Sequence, residues 1–354
     1  MSTFNDFLDS PTQNSTVGSM ESTLHSTAGP DKAFELHTLE HESNQRETDP
    51  RLLSLSYSSL LTLHSCPRKF ELERKKATKD HSESISETIT FSYGQIVGLG
   101  IQLSLEGKTF DEILWQMFLG WRAELFAENP KQNKSFAAAV FAVQKFQAMC
   151  EQDYLSDYSL VHYDGKPACE LSFLISLPSG FKYRGFVDAV LKHNHTGEVI
   201  VLECKTSSAA TLNPATYKNS AQAIGYSIVL DAIFPALSSY KVLYLIYSTK
   251  QLQYEQLEFT KSYVQRARWI RELLMDTDTL EMYIENDLFP MRGESCFTYF
   301  RECDYMNLCQ MQTERLVSPP TDKDLTDLEE ANTKYQIQIS ITDLLESQLS
   351  KVAS

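Results

Sequence analysis

Residues 199–207 read VIVLECKTS, an apolar run of strand length that holds a carboxylate and an ammonium two residues apart. Side chains alternate along a strand, so Val199, Val201, Glu203 and Lys205 share one face. Burying such charges in a central strand is costly unless they serve a purpose. The stretch just before supplies a partner. YRGFVDAVL (183–191) reads as a second strand, the turn HNHTGE (193–198) follows it, and Asp188 lies in it between Val187 and Ala189. A hairpin brings Asp188 beside Glu203. Two carboxylates held together repel, and a divalent cation removes the repulsion; all-oxygen ligation suits Mg²⁺ or Mn²⁺. Such a cation polarises a phosphoryl oxygen and acidifies a bound water. Lys205 orients that water or stabilises the developing negative charge. The plainer reading of the same residues is a strand with an edge salt bridge.

The elements around this hairpin give the fold class. ELSFLISL (170–177) alternates, with Leu171, Phe173, Ile175 and Leu177 on one face, and PSG (178–180) is turn chemistry. Helical spacing covers 134–153 and 215–233, KVLYLIYST (241–249) and LQYEQLEF (252–259) are strands, and a long helix runs over about 260–285. Upstream, LSYSSLLTLHSCPRKFELERKKA is Ser-capped and helical with a break near Pro67, and 91–127 is helical with a Gly-rich beginning. The order is helices, strands, helix, strands, helix, which makes an α/β core with a helical N-terminal part.

The charge of −15 argues against a uniformly basic nucleic-acid binder, but its distribution is uneven. Residues 1–50, rich in Ser, Thr, Asn and acids, carry −7 and read as a disordered acidic tail, with Phe4 to Leu8 as a short docking segment; 311–354 carry −4 and read as an acidic, partly helical tail. Residues 66–79 hold six bases and two acids, a local field able to hold phosphates or a solvated helix face. Arg266, Arg268 and Arg271 on the long helix are open to the same two readings. No run is apolar enough to span a bilayer, no secretory signal is visible in MSTFNDFLDSPTQNST and no GK[ST] phosphate loop is present. A cytoplasmic protein, bacterial or in a virus-infected cell, without its own motor is expected.

The Gly185-Phe-Val-Asp188 lead, the turn and Glu203-Cys-Lys205 on an apolar strand resemble the PD-(D/E)XK nuclease superfamily, in its RecB-like branch. The resemblance implies a restriction-endonuclease-like core, a mixed central sheet flanked by helices, spanning about 52–310. Asp188, Glu203 and the backbone carbonyl of Cys204 would be metal ligands, and Lys205 catalytic. The family's following helix often carries Gln-X-X-X-Tyr, matched by Gln222 and Tyr226, which share one helix face and would position DNA or water. Glu170 corresponds to an additional acid of some members. The upstream Phe91-Ser-Tyr-Gly94 lead is not followed by that branch's histidine; Gly98 and Gln102 stand nearby. The implied activity is metal-dependent hydrolysis of DNA, by an exonuclease or end-processing enzyme of recombination, repair or viral DNA metabolism, with a helicase or recombination protein as a further partner. The alternatives are an inactive DNA-binding scaffold subunit and a structure-specific RNA nuclease.

Seven cysteines, an odd number, argue against a disulfide framework. Cys150, Cys169 and the Cys204 side chain read as core residues. Cys66, in SCPRKF, and Cys296, Cys303 and Cys309, in a C-terminal Cys-rich segment, resemble the iron-sulfur nucleases of the same branch, such as AddB and the CRISPR adaptation nucleases. There, four thiolates hold a 4Fe-4S cluster. Cys66 and the Cys303-X5-Cys309 spacing fit that pattern, whereas six residues separate Cys296 from Cys303 where two are usual. A zinc site made of the same four thiolates and four buried free thiols are the other readings. Tyr299, Phe300 and Tyr305 would shield such a group.

Overall fold

The computed structural model describes residues 49–77, 85–124, 133–209, 211–234, 237, 239–298 and 301–345. The N-terminal acidic stretch, with Phe4 to Leu8, lies outside them, as do Tyr299 and Phe300.

The first elements among the described residues are a short strand, β1 (Ser54–Leu55), and two helices, α1 (Tyr57–Ser65) and α2 (Pro67–Arg74). Ser56 caps α1 in a reciprocal capping box with Ser59. Pro67 cannot continue α1 and is suited to the first position of α2, so the break expected near it is found there. Next come α3 (Ile85–Leu105), α4 (Phe110–Gly120) and α5 (Phe136–Glu151). The strands follow: β2 (Tyr158–Leu160), the small hairpin β3 (His162–Tyr163) and β4 (Lys166–Pro167), then β5 (Cys169–Ser176), β6 (Lys182–His193) and β7 (Val199–Ser207).

The sequence pattern 215–233 suggests one helix, but two form, α6 (Pro214–Lys218) and α7 (Ala221–Ile233). At the break the Lys218 carbonyl is taken by the ammonium of buried Lys261, a partner far along the chain. The chain continues through β8 (Ser239–Ser248), β9 (Gln253–Ser262), α8 (Tyr263–Glu285), the hairpin β10 (Phe297–Thr298) and β11 (Arg301–Glu302), α9 (Thr313–Leu316), α10 (Asp322–Thr333) and β12 (Ile337–Ser340).

The central sheet runs β12-β5-β6-β7-β8-β9. It is mixed: β5, β6 and β7 are antiparallel, β7 and β8 parallel, β8 and β9 antiparallel. The long β6 also pairs with β1 near its start and with β2 near its end. Helices cover both faces. Val199, Val201, Val187 and Phe173 pack with Tyr226 and Ile228 of α7 and Trp269 of α8. Ile200, Leu202, Ala189 and Leu245 pack with Tyr93 of α3, Met117 of α4 and Phe146 of α5. Burial on both faces is why β7 is apolar without interruption until Glu203. Gly225 of α7 lies against Trp269: a Cβ there would stand 2.8 Å from the indole ring, so only glycine lets the two helices approach this closely.

The stretch beyond 310, expected as a tail, adds to this sheet. β12 pairs in parallel with β5, from Ile337 opposite Phe173 to Ser340 opposite Ser176, and Ile337 and Ile341 are buried in the core. Two isoleucines and an exposed edge of β5 draw back a segment whose composition is otherwise polar.

Candidate active site

β6 and β7 are paired up to Ala189 opposite Leu202. The next facing positions are Asp188 and Glu203, and there the ladder stops. The Cys204 N–H donates to Asp188 Oδ2 at 2.8 Å instead of to a backbone carbonyl. β7 stays with β8 as far as Ser207 opposite Ser248, so it is β6 that parts from β7. The fork opens where the three charged side chains of the sequence motif meet. On β5, Glu170 has φ 45°, a left-handed backbone unusual for glutamate. The strand's inward faces change over there: Cys169 packs in the layer with α3–α5, Leu171 in the layer with α7 and α8.

Glu203 is buried, 1 % exposed. Its Oε2 accepts a 2.7 Å hydrogen bond from the Tyr226 hydroxyl, and Lys205 Nζ stands 2.5 Å from Oε1 as an ion pair. Beside that ion pair, Oε1 has no hydrogen-bond partner among the described residues. Burial, and then the Glu203 charge, hold the Asp188 carboxyl well above the usual carboxylate range, while Lys205 and the Cys204 N–H pull it down. Glu170 is raised too, by its protein surroundings first and by Glu203 second. Burial works against the Lys205 ammonium, yet Glu203 and Asp188 raise its pKa overall and keep it charged. Tyr226, buried and beside the same carboxylates, stays a neutral donor.

Of the residues singled out in the sequence, Asp188, Glu203, Lys205 and Tyr226 converge, and Glu170 is close enough to interact with Glu203 and Lys205. Gln222 lies one turn before Tyr226, half-buried, with no side-chain hydrogen bond among the described residues. The Cys204 side chain packs on the opposite face, with the α3–α5 layer. Tyr244 was not foreseen: it sits directly beside Glu203 in β8, buried, and burial pushes its hydroxyl up to about 12. Gly94 of α3 brings that helix against the far end of β7, where a Cβ would stand 3.4 Å from Thr206 Oγ1. Gln102, in contrast, bonds to Glu106 within its own helix.

The donor set fits a hard divalent cation. Two carboxylates raise one another's energy, one of their oxygens has only an ammonium beside it, and Glu170 adds a third negative charge. Among the described residues no group of three or more His, Cys, Asp or Glu side chains is placed to hold a metal ion. A site with two carboxylates leaves the remaining positions to water and substrate oxygens, as Mg²⁺ prefers.

The PD-(D/E)XK nuclease superfamily is matched by residues 54–310. The chain belongs to that superfamily. The match takes in Asp188, Glu203 and Lys205 and most of the central sheet. Among solved structures, a "Putative exonuclease" from Eubacterium rectale is 12% identical, over 80% of this chain and 97% of that one, with a TM-score of 0.43. A protein designated SSO0001 is 15% identical over 73% and 87% of the two chains, with a TM-score of 0.31. No curated protein matches the nuclease.

The four outer cysteines are free thiols, and among the described residues no three of them form a group that could hold a metal ion. Cys66 caps α2, whose next amide, Arg68 N–H, donates to the Pro290 carbonyl. The six residues between Cys296 and Cys303 include the hairpin β10–β11, which returns the chain so that Cys303 N–H donates to the Cys296 carbonyl at 2.8 Å. The long spacing therefore still brings these two together. Burial raises the Cys303 and Cys309 thiols first; for Cys303 the Tyr305 N–H and Lys69 oppose it while Cys66 and Cys296 add, and for Cys309 Cys66, Cys296 and Cys303 add while Arg68 opposes. Tyr305 is buried against Leu72 and Ala77, beside Cys303.

Proposed function

We propose that this nuclease hydrolyses DNA phosphodiester bonds with Mg²⁺ or Mn²⁺ at Asp188 and Glu203, acting from strand ends. The observation that carries the reading is the fork between β6 and β7, where two apposed carboxylates and an ammonium meet at the end of a buried apolar strand. A bound cation supplies Lewis acidity and an activated water. The protein's own groups do the rest. Tyr226 and the Cys204 N–H fix the orientation of Glu203 and Asp188. Lys205, 40 % exposed at the mouth of the site, offers positive charge to the attacked phosphate. The backbone carbonyl of Cys204 and the carboxylate of Glu170 are further donors toward the cation, and Gln222, one turn before Tyr226 on α7, would position DNA or water.

End-labelled linear duplex, closed circular duplex and single-stranded RNA, each incubated with Mg²⁺ or Mn²⁺, test this. Linear DNA is expected to be degraded and circular DNA and RNA to persist. Equal loss of circular DNA would replace end-dependent action with an endonuclease, and preferential loss of RNA would replace the substrate.

From the sequence resemblance we also propose that Cys66, Cys296, Cys303 and Cys309 hold a thiolate-bound group that ties the C-terminal segment to α2, with 4Fe-4S as the first expectation and Zn²⁺ as the second. Anaerobically purified protein is expected to be brown; colourless protein with one zinc per chain would select the second. A helicase or recombination partner remains part of this proposal, to be sought by co-purification.

A further inference from the structure

The outer half of β6 carries a row of side chains that the catalytic fork does not use. Tyr183, Gly185 and Val187 face the core side, where the Phe173 ring meets Gly185. Lys182, Arg184 and Phe186 therefore share the opposite face. Phe186 is 51 % exposed, two residues before Asp188 on the same strand, which is about 7 Å along the chain. Its ring meets Tyr335 at 6.3 Å between centroids with 41° between planes. Arg184 Nη1 donates to the Tyr335 hydroxyl at 3.3 Å, so one tyrosine touches both the exposed aromatic and the cation.

Tyr335 is held in place by its neighbour. Gln336 N–H donates to Ser172 Oγ, and Ser172 N–H donates to Gln336 Oε1, both at 3.1 Å. Ser172 is the residue of β5 directly opposite Phe186. The pair of rings is thus fixed by the return of the chain as β12.

Lys182, Arg184 and the nearby Arg74 form no ion pair among the described residues. In a chain with 47 acids and 32 bases, Lys182 bonds to a serine hydroxyl, Arg184 to a phenol, and Arg74 of α2 to the Arg51 carbonyl. Arg184 is close enough to Arg74 to help burial lower its pKa, to about 10. Like charges brought together mark a place for an anion, and here they outweigh the pull of Glu73 and Asp49 on Arg74. An exposed ring tilted against a second aromatic, with cations beside it, is the composition of a single-strand track.

We infer that Phe186 and Tyr335 form a stacking platform for an unpaired base, with Arg184, Lys182 and Arg74 holding the backbone of a single DNA strand that runs toward Asp188. The inference rests on the nuclease reading only for the strand's destination.

The test is binding of fluorescent oligo-dT to the full chain without divalent ions, followed by anisotropy, beside the same measurement on blunt duplex. Phe186→Ala is expected to raise the Kd for oligo-dT about 5- to 150-fold, and Phe186→Leu, which keeps apolar bulk without a ring face, is expected to stay weakened. Arg184→Gln is expected to lower the slope of log Kd against log salt by about 0.7. Duplex binding should change much less. Oligo-dT binding unchanged in Phe186→Ala would overturn the platform, and an equal loss for duplex would overturn its assignment to an unpaired strand. Weakened binding with a parent protein that cleaves nothing would retain the platform and reject the nuclease. Unaltered binding with a parent that cleaves would do the reverse.

Discussion

Asp188→Asn is expected to abolish cleavage while leaving the fold at least as stable as the parent. Asparagine keeps an oxygen for the Cys204 N–H, now at 2.8 Å from Asp188 Oδ2. It removes one of two apposed carboxylates, the one whose charge burial and Glu203 disfavour. Relief of that repulsion adds stability on the order of 1 kcal/mol, a rise in melting temperature of about 2–4 °C for a domain of this size. Loss of a metal-binding carboxylate lowers kcat by on the order of 10³-fold, comparable to losing a principal transition-state contact. A residue with a merely structural role would behave oppositely, losing stability and activity together. Thermal melts and single-turnover cleavage on the same preparation separate the two cases. Cleavage at the parent rate would remove Asp188 from the reaction.

Arg68→Ala is expected to cost about 3–5 kcal/mol, the usual penalty for breaking a buried ion pair, and to lower the melting temperature by roughly 10 °C. Arg68 is 8 % exposed and Glu71 is 2 % exposed. The guanidinium bonds to Glu71 Oε2 and Thr313 Oγ1, each at 2.5 Å, to the Met311 carbonyl at 2.5 Å and to the Cys309 carbonyl at 3.1 Å. Thr313 donates in turn to Glu71 at 2.8 Å. One side chain thus fastens residues 309–313 to α2, more than 240 residues earlier in the chain. Arg68→Lys is not expected to rescue, since a single ammonium cannot reach carbonyls and carboxylate as a planar fork does. The paired change Arg68→Met with Glu71→Leu should recover part of the loss, because it removes both charges. Limited proteolysis after residue 309, faster in Arg68→Ala than in the parent, would show which segment comes loose. An unchanged melt would show that the basic run at 66–79 is a solvated face after all.

The hairpin that builds the site was legible because two kinds of order coincide in it. β7 occupies 199–207, the bounds of its apolar run, and alternation alone puts Glu203 and Lys205 on one face. The helix after it needed only the four-residue step from Gln222 to Tyr226, and Tyr226 does bond to Glu203. Neither pattern contains the fork itself, since that depends on the Cys204 amide choosing a side chain over the ladder. Tyr244 was hidden for a related reason: it reads as one more apolar strand residue until the parallel register sets it beside Glu203. Long-range returns were the other blind spot. IQIS (337–340) is too short to announce a strand, and nothing in the six residues between Cys296 and Cys303 announces the hairpin that forms there. Phe186 and Tyr335 are 149 residues apart in the numbering, and nothing local links them.

Calorimetric titration of Mn²⁺ into the metal-free parent and into Asp188→Asn, without nucleic acid, bears most directly on the fork as a cation site. Saturable binding by the parent that is lost or greatly weakened in the variant is the expected result. Equal binding by both proteins, or none by the parent at millimolar ion with substrate DNA present, would mean that Asp188 and Glu203 face each other for some other reason.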